Sequence, residues 1–204
     1  MILIGYSGHA FVAYGIFHAS GLPITGYCDV AEKEYNPFNL QYVGTEISAT
    51  GLNAIKEHGF FIAIGDNIIR ENIYEALQKN NLAPQNAIHP SAVIDATAVI
   101  APNGVMIAAN VTINPLALIA TGAICNTGCI IEHECDVGAF AHIGPGAVLC
   151  GNVKIGKGSF VGANAVIKQG ITVGINAIIG AGAVVVKNVP DNVTVVGVPA
   201  KKSH

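Results

Sequence analysis

Residues 141–158 read AHIGPGAVLCGNVKIGKG, and within them Ile143, Leu149 and Ile155 stand six apart. The same phase runs through Ile107, Ile113, Ile119, Cys125, Ile131, Val137, Ile143, Leu149, Ile155, Val161, Ile167, Val173, Ile179 and Val185, and it never slips across these 79 residues. Two positions earlier the residue is usually small, as at Ala117, Ala123, Cys129, Cys135, Ala141, Ala147, Ser159, Ala165, Ala177 and Ala183. Glycine follows the aliphatic site at Gly138, Gly144, Gly156, Gly162, Gly174 and Gly180. A fixed internal period marks a solenoid. Period six fits a left-handed parallel β-helix with three flat faces and eighteen residues per coil. The aliphatic residue points inward. The small residue is placed at the corner, where glycine permits positive φ. Coils then stack about 4.8 Å apart through backbone hydrogen bonds.

The hexads extend from His89 to Lys187, with no insertion expected among them. A site must therefore be built from the faces themselves, from the N-terminal domain or from a neighbouring subunit. Residues 1–83 follow another rule. Met1–Ile4 is a short strand ahead of Gly5-Tyr6-Ser7-Gly8-His9, and Ala10–Ala19 has the length of a helix. Ile24–Cys28 reads as a second strand ending at Asp29, and Phe60–Ile64 as a third ending at Gly65. Ile69, Ile73 and Leu77 then recur with helical spacing through Asn81. Strands alternating with helices imply a small Rossmann-like α/β domain. The expected division is 1–83 α/β domain, 84–187 β-helix and 188–204 C-terminal tail.

Composition agrees with a mainly β chain. Charged residues make up 11% of it, against about 25% in ordinary domains. Glycine occurs 24 times and tryptophan never. A net charge of −3 leaves no footprint for nucleic acid or an anionic membrane. Residues 96–131 carry no charge, but Asn, Thr, Gly and Pro interrupt them, so a periodic structure is expected rather than a membrane span. The five cysteines are odd in number, and Met1 leads into a strand without a basic n-region. A reduced, cytoplasmic setting is expected.

Two constellations could carry chemistry. In the first, the turn Gly5-x-x-Gly8 between strand and helix would present backbone N–H groups to a phosphate. Asp29 lies 21 residues after Gly8, at the end of the next strand, where nucleotide folds place an acidic acceptor. Gly65 ends a third strand on the same edge. The bland alternative is an α/β cap with ordinary turn glycines. In the second, Asn126, Glu132, His133, Glu134 and His142 interrupt a charge-poor solenoid. His133 should stand on the outer surface, and the residue one coil onward is Gly151, which leaves room and an N–H beside the imidazole. A carboxylate next to an imidazole suits a general base. The bland alternative is a solvated acidic–histidine patch. His142 lies half a coil away and would reach His133 only between subunits. Cys129 and Cys135 sit on consecutive faces and should diverge, so no metal is expected.

The segments Gly5-Tyr6-Ser7-Gly8-His9, Phe60 to Gly65, Ile88 to Ala92, Asn126-Thr127, Ile131-Glu132-His133-Glu134-Cys135, Gly151 to Gly156 and Gly197 to Lys201 together resemble a known family. It is the PglD-like group, within the wider NeuD group, of nucleotide-sugar N-acetyltransferases of the bacillosamine pathway. The resemblance spans nearly the whole chain. It implies a homotrimer that uses acetyl-CoA, without a metal, to acetylate the 4-amino group of UDP-4-amino-4,6-dideoxy-N-acetylglucosamine. It implies His133 as the catalytic base and Glu134 as its partner carboxylate. Ser7, Gly8, His9, Asp29 and Gly65 match nucleotide-sugar contacts, and Asn126 a sugar contact. His142, Ala163 and Ala181 match positions touching acetyl-CoA, and Gly151 is the expected oxyanion donor. Where relatives carry two aspartates after the second strand, here Asp29 is followed by Val30. That leaves both a UDP and a GDP sugar open, the latter as in GDP-perosamine enzymes. Two further readings are O-acetylation of a sugar hydroxyl and a non-enzymatic nucleotide-sugar-binding scaffold.

Overall fold

The structure, a computed structural model, describes residues 1–203. The N-terminal domain holds β1 (Ile2–Ile4), α1 (Gly8–Ala19), β2 (Gly26–Cys28), β3 (Gln41–Tyr42), α2 (Ala49–His58), β4 (Phe60–Ile62) and α3 (Asn67–Gln78). Its sheet is parallel, in the order β3-β2-β1-β4. Side chains alternate across it, so both faces must be covered. Leu3, Tyr27 and Phe61 point towards α1, where Ala10, Ala13 and Phe17 meet them. Ile2, Ile4, Phe60 and Ile62 point the other way, towards Ile55 of α2 and Tyr74 and Leu77 of α3.

Two elements here were not anticipated, β3 and α2. The first is only two residues long. The second has Gly51 in its first turn, which weakens any helical expectation. Ser48 caps it by accepting the Gly51 N–H at 3.1 Å, and a Cβ at Gly51 would strike the Thr45 carbonyl. The third strand stops at Ile62, two residues short of the expected end. The buried stripe of α3 also differs. It is Arg70, Tyr74 and Leu77, whereas Ile69 is exposed and lines a crevice with Ile73.

The remaining chain is a three-faced parallel β-helix. The first face runs from Ala87–Ile88 through Met106–Ile107, Ile124–Cys125, His142–Ile143, Phe160–Val161 and Ile178–Ile179 to Thr194–Val196. The second runs from Val93–Ile94 to Val184–Val185, and the third from Val99–Ile100 to Thr172–Val173. From Met106↔Ile124 to Val166↔Val184 the pairing advances eighteen residues per coil. Earlier it advances nineteen, as in Ala87↔Met106 and Val99↔Leu118, because one extra residue sits between Ile100 and Ile107. The uninterrupted hexads therefore begin only at Ile107. Asn86 steadies the inserted turn, donating to Ala101 O at 2.8 Å and accepting from Val105 N at 2.9 Å. Residues 188–203, set apart above as a tail, supply a shorter last coil, with Val173↔Val189 and Ile178↔Thr194. Lys201–Lys202 then pairs antiparallel with Val195 and Val196.

The corner chemistry also differs from expectation. Positive φ falls one residue before the small site, at Gly104, Asn110, Leu116, Gly122, Gly128, Glu134, Phe140, Gly146, Asn152, Gly158, Asn164, Gly170, Asn176 and Gly182. The small residues themselves are fully buried. The glycines after the aliphatic site answer a different demand. At Gly162 a Cβ would lie 2.5 Å from the Ala181 nitrogen of the next coil, so close stacking of backbone on backbone excludes it.

Arg70, the only arginine of the chain, joins the two units. It is 1% exposed. Its Nε donates to Gly122 O at 2.9 Å, and Nη1 to Ile64 O and Gly65 O at 3.0 and 3.1 Å. Nη2 donates to Asn67 Oδ1 and Phe140 O at 2.9 and 2.8 Å. All five guanidinium protons are thus used, on acceptors from both units. Phe140 packs edge-on against Tyr74, with ring centroids 5.4 Å apart, and covers the bare Gly122. Asn67 adds a bond to Gly158 O at 2.8 Å, and Lys157 pairs with Glu71. Replacing Arg70 by Met would leave five acceptors without this donor, two of them in buried bonds and three in partly buried ones. We expect Arg70→Met to cost about 3–5 kcal/mol, as loss of one partner of a buried polar network does. Urea unfolding with hydrogen exchange checks this, and the α/β domain should loosen first.

Candidate active site

The carboxyl edge of the α/β sheet forms a crevice of about 300 Å³ lined by Gly5, Ser7, Asp29, Lys33, Glu46 and Ile69, among others. Gly5 has φ +87° and a Cβ there would lie 2.6 Å from Ile64 Cγ1, so the turn needs glycine. Asp29 shapes this turn directly. Its Oδ2 accepts the Tyr6 N–H at 2.9 Å, and its Oδ1 accepts the Val30 N–H at 2.7 Å and meets Lys33 Nζ at 3.0 Å. Ser7 makes no side-chain cap bond, so the first-turn N–H groups of α1 are open towards the crevice. Open helix N–H groups with an adjacent ammonium suit a phosphate.

Deeper, the α/β domain meets the first face of the β-helix. His142 is buried there, with Nδ1 3.3 Å from Gly65 O and Nε2 3.1 Å from Asn126 Nδ2. An amide nitrogen can only donate, so Nε2 accepts and Nδ1 carries the proton. This fixes a neutral tautomer. His9 lies alongside, its ring centroid 5.8 Å from that of His142, and its ring lies against Gly65. His9 Nε2 is buried without a partner among the described residues. Burial, reinforced by Arg70, pushes the His9 pKa down to about 4. Burial, with His9 and Arg70 nearby, does the same to His142. The structure thus brings together His9, Gly65, Asn126 and His142. In this chain His142 is occupied at both nitrogens.

His133 and Glu134 occupy the corner between the second and third faces, on another side of the prism. His133 Nδ1 lies 3.1 Å from Glu134 Oε2, and both side chains are about half exposed. The imidazole leans over Gly151, where a Cβ would come within 2.5 Å of its Nε2 and Cε1. Glu134 holds φ +59°, at a position where most turns have Gly or Asn. The Gly151 N–H donates to no backbone carbonyl among the described residues. Ala163 and Ala181 stack one coil apart at the corner between the first and second faces, and their N–H groups are equally free.

No group of three or more His, Cys, Asp or Glu among the described residues could hold a metal ion. Cys135 donates to Cys150 O at 3.2 Å, and burial raises its pKa to about 11. No helix among them is long and apolar enough to cross a membrane. Sequence reasoning missed Arg70, which donates to Gly65 O, and Asn67, which accepts from Arg70. A single arginine in a chain of ten basic residues was the available signal. The two low-pKa histidines carry a consequence for stability. Unfolded histidine takes up a proton near pH 6.5, whereas these resist protonation to about 4. Between those values the unfolded state binds more protons, so stability is lost as pH falls from 6.5 towards 4. Thermal unfolding across that range should show the loss, and His9→Asn with His142→Asn should flatten it.

Comparison with known proteins places this architecture. Residues 1–77 match the PglD N-terminal domain. Residues 134–169 match the bacterial transferase hexapeptide repeat, and 152–187 the hexapeptide repeat of succinyl-transferase. PerB from Caulobacter crescentus, solved with CoA and GDP-perosamine, is 35% identical, with a TM-score of 0.91 over 100% of this chain and 96% of that one. The acetyltransferase domain of PglB from Neisseria gonorrhoeae, solved with acetyl coenzyme A, is 33% identical, with a TM-score of 0.91 over 99% and 98%. With its PglD N-terminal domain set on a left-handed hexapeptide β-helix, the chain belongs to the PglD-like family of sugar N-acetyltransferases.

Proposed function

We propose that this enzyme transfers the acetyl group of acetyl-CoA to the 4-amino group of UDP-4-amino-4,6-dideoxy-N-acetylglucosamine, the step that serves bacillosamine biosynthesis. The observation that carries the chemistry is the His133–Glu134 pair. Glu134 engages Nδ1, which leaves the Nε2 lone pair as the base, poised above Gly151. The neutral sugar amine attacks the thioester carbonyl. A C–N bond forms, the amine proton passes to Nε2, and the free Gly151 N–H stabilises the oxyanion. The C–S bond then breaks, and the imidazolium returns its proton to the departing CoA thiolate. The α1 crevice, with Ser7, Gly8, His9, Asp29 and Gly65, would hold the nucleotide-sugar, and Asn126 the sugar ring. The free N–H groups of Ala163 and Ala181 would receive the pantetheine arm. His142 orients Asn126 on this reading and stands beside the CoA path.

A second reading is favoured by one finding, the 35% identity to a protein solved with GDP-perosamine. Asp29 engages the turn itself, so the base is read by other groups of the crevice. A panel of UDP- and GDP-linked amino sugars with acetyl-CoA, followed by free thiol, separates the two. Turnover with the UDP sugar alone supports the first reading, and turnover with the GDP sugar alone replaces it.

We infer a homotrimer from the unequal fates of the three faces. The α/β domain covers much of the first, and the third carries Asp136, Lys154 and Thr172 outward. The second presents an outward ladder of Ile130, Val148, Val166 and Val184 with no covering element among the described residues. Asn126 borders one edge of that face and His133 the other. A second copy packed on it would bring one subunit's His133 to another's Asn126. We therefore expect mixed trimers of His133→Ala and Asn126→Ala chains to recover activity that neither homotrimer has. Equal inactivity of mixed and unmixed samples would place the site within one subunit. On the best acceptor, His133→Ala should lower kcat about 10²–10⁴-fold, the usual contribution of a general base. Glu134→Gln should lower it less. Steady-state thiol release measures both, and a His133→Ala rate within a few-fold of wild type would assign the base elsewhere.

A further inference from the structure

From Gly104 to Gly182, fourteen turn positions of the β-helix share a left-handed backbone, and eleven of them are Gly or Asn. The other three are Leu116, Glu134 and Phe140, with φ of +63°, +59° and +56°. Residues that break a local rule mark places where something else is gained. Phe140 gains the contact with Tyr74 at the domain junction. Glu134 gains His133. Leu116 is 57% exposed and joins neither hydrophobic cluster of the described residues.

Its place is informative. Leu116 lies one coil before Glu134 at the same corner, and coils are about 4.8 Å apart. Pro115 lies in the same way one coil before His133, and its carbonyl accepts the Glu134 N–H at 3.0 Å. The imidazole leans the other way, over Gly151. The corner beside the base is thus left open, with an apolar floor of Pro115 and Leu116. Thr97 Oγ1 pins the Leu116 N–H at 3.0 Å, which holds this floor in position.

Resting on the function proposed above, we propose that Leu116 is a specificity-determining residue, whose isobutyl group receives the C6 methyl of a 6-deoxy acceptor. In such a sugar C5 adjoins the C4 bearing the amine, and the methyl hangs from C5. An amine at His133 Nε2 therefore carries an apolar group within a few ångströms, the only purely hydrocarbon substituent of the ring. A hydroxyl in its place would be buried against leucine without a partner.

The test compares wild type, Leu116→Asn and Leu118→Thr. Asn already occupies this turn position at Asn110, Asn152, Asn164 and Asn176, so the fold tolerates the first change. Leu118 is exposed on the neighbouring third face and serves as the control. Each is assayed for kcat/KM with the 4-amino-4,6-dideoxy acceptor and with its 6-hydroxy counterpart, and sedimentation is recorded alongside. Wild type should prefer the deoxy sugar by roughly 10–100-fold, the discrimination an apolar pocket achieves. Leu116→Asn should bring the two within about threefold of each other, through KM for the sugar, while Leu118→Thr keeps the wild-type ratio. An unchanged ratio in Leu116→Asn overturns the proposal. A changed sedimentation coefficient overturns it too, by making Leu116 a subunit contact. If wild type acetylates both sugars equally, the proposed reaction stands and this inference falls. If it acetylates neither, both fall.

Discussion

A single buried guanidinium sets the relation of the two halves of this enzyme. Arg70 places its five protons on Ile64, Gly65 and Asn67 of one unit and on Gly122 and Phe140 of the other. Burial lowers its pKa only to about 10, so it remains charged at neutral pH. That charge has a second effect, because it helps keep His9 and His142 neutral. Neutrality lets His142 accept from Asn126 while donating to Gly65. The docking of the α/β domain is in this way linked to the orientation of an amide at the proposed sugar site.

The β-helix supplies a different kind of order. Its stacking is nearly obligatory, because Gly162 and its equivalents admit no side chain and the small sites are sealed inside. What varies is the corner. Some corners expose an N–H that the coil does not use, as at Gly151, Ala163 and Ala181. Such a ladder of fixed donors costs no reorganisation during reaction, which is the condition for electrostatic stabilisation of an oxyanion. The proposed site therefore asks few special residues of the solenoid, chiefly His133, Glu134 and the open corner beside them.

Legibility in the sequence followed the strength of each physical signal. The hexads were legible because every coil repeats the same demand, and Gly151 was placed beside His133 from the eighteen-residue coil alone. The nineteen-residue early coils were not, since a single added residue between Ile100 and Ile107 lies outside the regular run. The positive-φ position was misplaced by one site, because two kinds of glycine, one serving the turn and one serving close stacking, look alike in a string of letters. The stripe of α3 was misread for a related reason. Ile69 looks like core, yet it is exposed along a crevice, while the polar Arg70 is buried because carbonyls of both units accept from it. Hydrophobic periodicity cannot show partners that arrive from fifty residues away. His9 and His142 were singled out by their motifs, but their meeting at Gly65 is a property of the docked domains.

In the proposed reaction, His133 activates an amine held by the α/β domain for attack on a thioester. The most direct measurement supplies the enzyme with acetyl-CoA and a matched pair of nucleotide-sugars differing only at C4, one with an amine and one with a hydroxyl. Free thiol and acetylated sugar are followed together. If His133 serves an amine, the amine sugar gives equal amounts of thiol and N-acetylated product, and the hydroxyl sugar is not acetylated above background. Acetylation of the hydroxyl sugar at a comparable rate, or thiol release without an acetylated sugar, would contradict it.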